Sequence, residues 1–348
     1  MPNLRDDVLA LLAGQPLARW PVFGGLPSLT APGLSAAGVR YGEAHTDAAQ
    51  MARAAASTYE LFGFEAAVVP FDLCVEAEAL GCTVDFHDGS EAFLPPSVDR
   101  PLAGDLVQEQ LRVPERLEQA GRLPLVAEAI RRLKAGVGRR VTVGAWVPGP
   151  FTLAWQLLGT EAWLMAFQNA AWSGWLLSQL EQFIERVAVY YRAAGADFIT
   201  VHEMGGSPQA LGMRAFRMWV APGLQRLFAR LPSPTVLSVC GRTDNGVLDL
   251  AQCGADALNV DHLTDLARAR QLLGPRAILL GNIDPVGVLS QGTPERVAQT
   301  VAAAIRAGAT AIWPGCDLWP AIPEANFRSL MDSAQQALPG EPPGAGPD

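Results

Sequence analysis

Basic side chains are in short supply in this chain. Lys and Arg together number 26 against 35 Asp and Glu, the formal net charge is −9, and no stretch gathers Lys or Arg into a cluster. A nucleic-acid-binding surface is therefore not expected. Cysteine is equally sparse: five residues, at 74, 82, 240, 253 and 316, an odd and scattered set that excludes a disulfide framework. No apolar run approaches the roughly 20 residues of a membrane-spanning helix. The first twelve residues are acidic and lack the basic-then-apolar layout of a secretory leader. No G-x-G-x-x-G fingerprint follows the first strand-like run, which argues against a dinucleotide-binding sheet, and no internal repeat is present. These absences lead to the expectation of a soluble, cytoplasmic protein with neither nucleic acid nor membrane as partner.

What remains is a 348-residue chain, 49% hydrophobic, long enough to bury a large core. Short β-like runs alternate with longer helical ones, the pattern of a parallel sheet wrapped by helices. The strands are predicted at 22–24, 66–70, 141–147, 198–202, 235–239, 257–260, 277–281 and 310–313. Eight is the closing number of the (β/α)8 barrel. Helical periodicity marks 161–194, 214–230, 263–273 and 295–307, and Thr293-Pro294-Glu295 reads as an N-cap with proline at the first helical position. The predicted fold class is thus α/β, a single TIM barrel over 1–338 with an insertion between the second and third strands. The insertion is placed in 87–138, which carries Pro95-Pro96, Pro101, Pro114 and Pro124. The Pro/Gly-rich tail 339–348 is expected to be disordered. Barrel dimers use outer helices that look like any amphipathic surface, so a homodimer is compatible with this reading.

In a barrel, the C-terminal ends of the strands line the active site. Read to their ends, the strands present Asp72, His202-Glu203, Cys240, Asp261-His262, Asn282 and Cys316. Thiolate and imidazole are the preferred ligands of zinc, so Cys240, Cys316 and a histidine form a candidate metal site, with His202 and His262 the two imidazoles at strand ends. Trp146, Trp313 and Trp319 lie near strand ends and could supply a flat apolar rim. Cys74, Cys82 and Cys253 read as structural, His45 and His87 as exposed loop histidines, and Glu76 and Glu78 as dipole-favoured residues of a helix start.

These ends also spell out a family. The run from Pro70-Phe71-Asp72 to Leu80-Gly81 resembles a signature of the uroporphyrinogen decarboxylase superfamily. It is most similar to the branch of methylcobamide:coenzyme M methyltransferases and related corrinoid-dependent methyltransferases. Further matches are Glu43-Ala44-His45-Thr46-Asp47, Gly149-Pro150-Phe151-Thr152-Leu153-Ala154, Gly281-Asn282-Ile283-Asp284-Pro285 and Pro314-Gly315-Cys316-Asp317, spanning about 43–326. The resemblance implies a (β/α)8 barrel. It also implies, in the thiol-methylating members, zinc held by a His-x-Cys pair and a Pro-Gly-Cys cysteine. The cysteines carry over as Cys240 and Cys316, whereas the histidine position is Ser238 here, leaving His202 or His262 to stand in.

The implied activity is transfer of a methyl group from a methylcorrinoid carried by a corrinoid-binding partner protein to a small thiol. The rim tryptophans Trp146, Trp313 and Trp319 would face that corrinoid. Without zinc, the resemblance points to tetrahydrofolate as the acceptor, gripped by Glu203, Asp261, Asn282 and Asp72, with Glu203 as a raised-pKa acid. Uroporphyrinogen decarboxylation is a third reading. Asp72 matches the decarboxylase aspartate, but the arginine-bearing motif after the first strand reads Pro21-Val22-Phe23-Gly24-Gly25-Leu26. A non-catalytic barrel that only binds a corrinoid or a partner is the fourth.

Overall fold

The computed structural model describes residues 3–87, 93–102, 107–160 and 169–337. The expected tail 339–348 and the first turns of the helix expected from 161 lie outside the described residues.

Six strands form one wholly parallel sheet: β1 (Ala66–Val69), β4 (Thr142–Pro148), β5 (Phe198–Glu203), β6 (Thr235–Val239), β7 (Ala257–Val260) and β8 (Ile278–Leu280), paired in that order. β1, β4, β5, β6 and β7 are buried at every position, and β8 at two of its three. Both faces are covered, which is why these strands read as near-continuous apolar runs rather than alternations. The two remaining segments, at 22–24 and 310–313, do not form full strands. They close the barrel through isolated bridges, Val22 to Ile312 and Leu280 to Ala311. The backbone explains the shortfall: Pro21 and Pro314 flank these segments and have no N–H to extend a ladder. Ile312 N donates to Pro21 O at 2.9 Å, Phe23 N to Ile312 O at 3.2 Å and Glu65 N to Val22 O at 2.9 Å, completing an α/β TIM barrel.

Between β1 and β4 the chain makes an antiparallel ribbon, β2 (Thr83–Asp85) with β3 (Ser97–Arg100), and then the helix Leu123–Gly136. Outer helices start where side chains satisfy their first amides. Asp47 accepts from Gln50 N, and Thr293 accepts from Arg296 N with Pro294 at the first helical position. At the opposite end from the mouth, Arg19 grips Glu65 with two bonds of 2.8 and 2.7 Å, and Glu65 also accepts from Val22 N. Charge at that end supports the seam, leaving the strand C-termini for chemistry.

Candidate active site

Three soft-ligand side chains converge at the mouth. His202 comes from β5, Cys240 follows β6, and Cys316 sits in the turn after Trp313-Pro314-Gly315. His202 Nε2 lies 3.6 Å from Cys240 Sγ, and the two sulfurs are 2.8 Å apart. All three ligand atoms fall within 4.8 Å of one another.

The sheet register builds the support for this cluster. His202 pairs with Ser238 across β5 and β6, and Ser238 with Asn259 across β6 and β7, so a polar row crosses the apolar core. Asn259 Nδ2 donates to Leu280 O (3.3 Å) and Pro314 O (3.4 Å), which turns its oxygen toward Ser238. Ser238 Oγ donates to that oxygen at 2.7 Å and stands 3.2 Å from His202 Nδ1. Ser238 has used its proton, so it accepts from Nδ1–H, and this fixes the ring with Nε2 toward Cys240.

The electrostatics follow from the same contacts. The hydrogen bond from the Cys316 thiol, aided by His202, lowers the Cys240 pKa. Cys316 keeps the shared proton, and its pKa is raised by that bond, by burial and by Asp317. Burial opposes charge on His202, but the charge and hydrogen bond of Cys240 together with Asp317 and Glu203 outweigh it and the imidazole pKa rises. One imidazole and two thiols are a zinc donor set. Bonds of about 2.0–2.3 Å to a tetrahedral ion give ligand–ligand edges of about 3.6–3.8 Å. The His202–Cys240 distance already matches such an edge, and the sulfurs would part by about 1 Å to do so. The residues fit the metal.

His202 and Cys316 also line a cavity of about 340 Å³, walled by Phe71, Leu73, Trp146 and Trp155 and reached by Pro95 and Pro96. Asp72 lies on its wall. Its carboxylate accepts two bonds from Arg122, at 2.8 and 3.0 Å, and pairs with His45 Nδ1 at 2.9 Å. Burial alone would raise its pKa, but these two partners hold it well below the usual carboxylate range. His45, expected to be exposed, is buried here, and His87 pairs with Asp85. Arg122 and His45 were invisible as site neighbours because they reach Asp72 from 50 and 27 residues away.

Several expected site residues stand elsewhere. Glu203 is fully buried and boxed in. It accepts from Thr152 Oγ1, from Phe151 N (3.2 Å) and from Gly206 N (3.0 Å), and does not line the cavity. Burial raises its pKa to about 6. Asp261 accepts from Gly241 N and Leu263 N, both at 2.9 Å, so it braces two turns. The Asn282 amide donates to Asp261 O and Thr264 O and ties the β8 turn to its neighbour. His262 lies between Asp261 and Asp284 and is not part of the three-ligand cluster. Trp313 is wholly buried against Phe23, so it packs the barrel core rather than the rim. Trp146 is buried on the cavity wall, with its ring N–H donated to Pro70 O, while Trp319 is exposed.

Glu76 and Glu78 stand in the first turn of the helix Val75–Ala79, as expected; Glu76 is buried beneath Tyr191 and Glu78 binds Arg122. Cys74, Cys82 and Cys253 are buried. Among the described residues no helix is long and apolar enough to cross a membrane.

Fold and site together define a (β/α)8-barrel protein that carries its soft-ligand side chains at the C-terminal strand ends. More narrowly, the chain belongs to the uroporphyrinogen decarboxylase (URO-D) family, whose profile matches residues 3–337. The methylcobamide:CoM methyltransferase MtaA of Methanosarcina barkeri is 31% identical, covering 94% of this chain and 96% of its own. A uroporphyrinogen decarboxylase of Chlorobium phaeovibrioides is 30% identical over 68% of each chain. Among solved structures, a methyltransferase from Methanosarcina mazei superposes with a TM-score of 0.90 at 29% identity, covering 97% of this chain and 99% of that one.

Proposed function

We propose that this protein is a corrinoid-dependent methyltransferase that moves a methyl group from a corrinoid-binding partner protein to a small thiol. The observation that carries the reading is the convergence of His202, Cys240 and Cys316 beside a cavity large enough for a small acceptor. The similarity to methylcobamide:CoM methyltransferases over nearly the whole chain supports the reaction class.

His202, Cys240 and Cys316 would hold a zinc ion, leaving a fourth position toward the cavity. Zinc bound there supplies Lewis acidity that lets a substrate thiol lose its proton at neutral pH. The chain's own residues do the rest. Ser238 and Asn259 hold the His202 ring in register, and the apolar cavity wall keeps water from the nucleophile. In the transfer, the thiolate sulfur forms the S–C bond while the Co–C bond of the methylcorrinoid substrate breaks. That electron pair stays on cobalt, and the thiol proton leaves to solvent.

The other readings draw less support. The groups that would grip a pterin, on Glu203, Asp261 and Asn282, are committed to backbone amides and carbonyls. A polycarboxylate such as uroporphyrinogen needs cations, and no Lys or Arg lines the cavity among the described residues.

Metal analysis of purified protein tests the proposal. About one zinc per chain is expected, falling to background in the Cys240→Ser/Cys316→Ser variant with the fold intact by circular dichroism. Equal metal in both proteins, or none in either, would remove the zinc site.

A further inference from the structure

We infer that the acceptor taken by this site is an uncharged thiol with an apolar body, not an anionic one; the inference rests on the thiol-methylating reading above. Three devices for holding an anion surround the mouth, and each is already occupied by a carboxylate of the chain itself. The first is Arg122. Its guanidinium donates to both Asp72 oxygens and to Glu78, and the Phe86 ring covers it at 4.8 Å. An arginine so enclosed has no free fork for an incoming sulfonate, phosphate or carboxylate.

The second device is the N-terminus of the helix Pro150–Leu158, directly after β4. The Glu203 carboxylate sits on it and takes the Phe151 amide. Glu203 also takes the Gly206 amide and the Thr152 hydroxyl, so its carboxylate fills this position. The third is the turn after β1, where Cys74 N donates to Asp72 Oδ1 at 2.9 Å.

Arg242, two residues after Cys240, pairs with Asp244 and does not line the cavity. Lys134 is the only lysine in the chain, and it pairs with Asp197. No Lys, Arg or His occurs in 88–92, 103–106, 161–168 or 338–348. The cavity wall is mostly apolar, with Phe71, Leu73, Trp146 and Trp155, and its uncharged polar side chains include Gln156 and Ser97, with Asp317 also on the wall. A sulfonate placed there would lose its hydration with no Lys or Arg to offset its charge, whereas an alkyl or aryl body would gain contacts.

The test uses two thiols of matched shape, 2-mercaptoethanesulfonate and 3,3-dimethylbutane-1-thiol. The full chain is loaded with cobalt(II) in place of zinc, and metal uptake is recorded before thiol is added. Each thiol is then titrated by its sulfur-to-cobalt absorption band. Methyl transfer from free methylcobalamin is measured on the zinc-loaded protein. The neutral thiol should bind and react at least tenfold better. Gln156→Arg, which places a guanidinium on the cavity wall, should move that preference at least tenfold toward the sulfonate. The cobalt spectrum before thiol addition shows whether the variant is folded.

Cobalt bound with the sulfonate equal or preferred would overturn this inference and leave the proposed function standing. No cobalt uptake, or no band with either thiol, would overturn the proposed function and this inference with it.

Discussion

His202 and Ser238 face each other across adjacent strands, with Nδ1 3.2 Å from Oγ, and the serine occupies the position where the resemblance places a metal-binding histidine. Ser238 supports the imidazole of the next strand in place of supplying one. Ser238→Ala should therefore leave the fold intact and weaken zinc binding about 10–100-fold, the usual cost of losing an outer-shell partner. His202→Ala should lower it further. Chelator competition on the purified variants measures both, and equal affinity in wild type and Ser238→Ala would remove the support role.

Glu203 separates a structural role from an acid role. Three buried donors end on its carboxylate. Glu203→Ala should cost about 2–4 kcal/mol of stability, because those donors lose their acceptor. Bound zinc should remain. Urea unfolding together with metal analysis reads the two effects separately.

Arg122→Met probes the buried Asp72. Removing one partner of an enclosed ion pair leaves the carboxylate uncompensated, and about 3–5 kcal/mol is the expected loss. Adding Asp72→Asn in the same chain should recover much of it, a coupling that a double-mutant cycle in urea would measure.

Glu76 gives the pH prediction. Burial raises its pKa from 4.5 to about 8, so the folded state holds this proton more tightly than the unfolded chain does. The sign follows: stability is unaffected below the unfolded value, declines as pH rises between the two, and bears the full cost above about 8. That cost is about 3–5 kcal/mol. Glu76→Gln should match wild type near pH 4.5 and exceed it increasingly up to pH 9. Thermal unfolding across that range would show parallel curves if the carboxyl were not responsible.

Much of this was open to reading along the chain. Both faces of the strands are buried, so their apolar runs were visible, and the strand ends brought Cys240, Cys316 and His202 forward. The register was not visible, and with it went the row of His202, Ser238 and Asn259, although a lone asparagine inside Ala-Leu-Asn-Val is a local signal that something polar crosses the core. Glu203 misled because a strand end points equally well at the cavity or at the next helix. What decides is the room left by Gly149 and Gly206, a contact set by folding across some 50 residues. The Asp72, Arg122 and His45 group is likewise assembled only by tertiary packing.

The barrel seam leaves the three ligands on unequal footing. His202 lies in β5 and Cys240 directly follows its paired strand β6, while Cys316 follows the segment that closes the ring through isolated bridges. Two of the three side chains are thus anchored by the sheet ladder and the third by a turn.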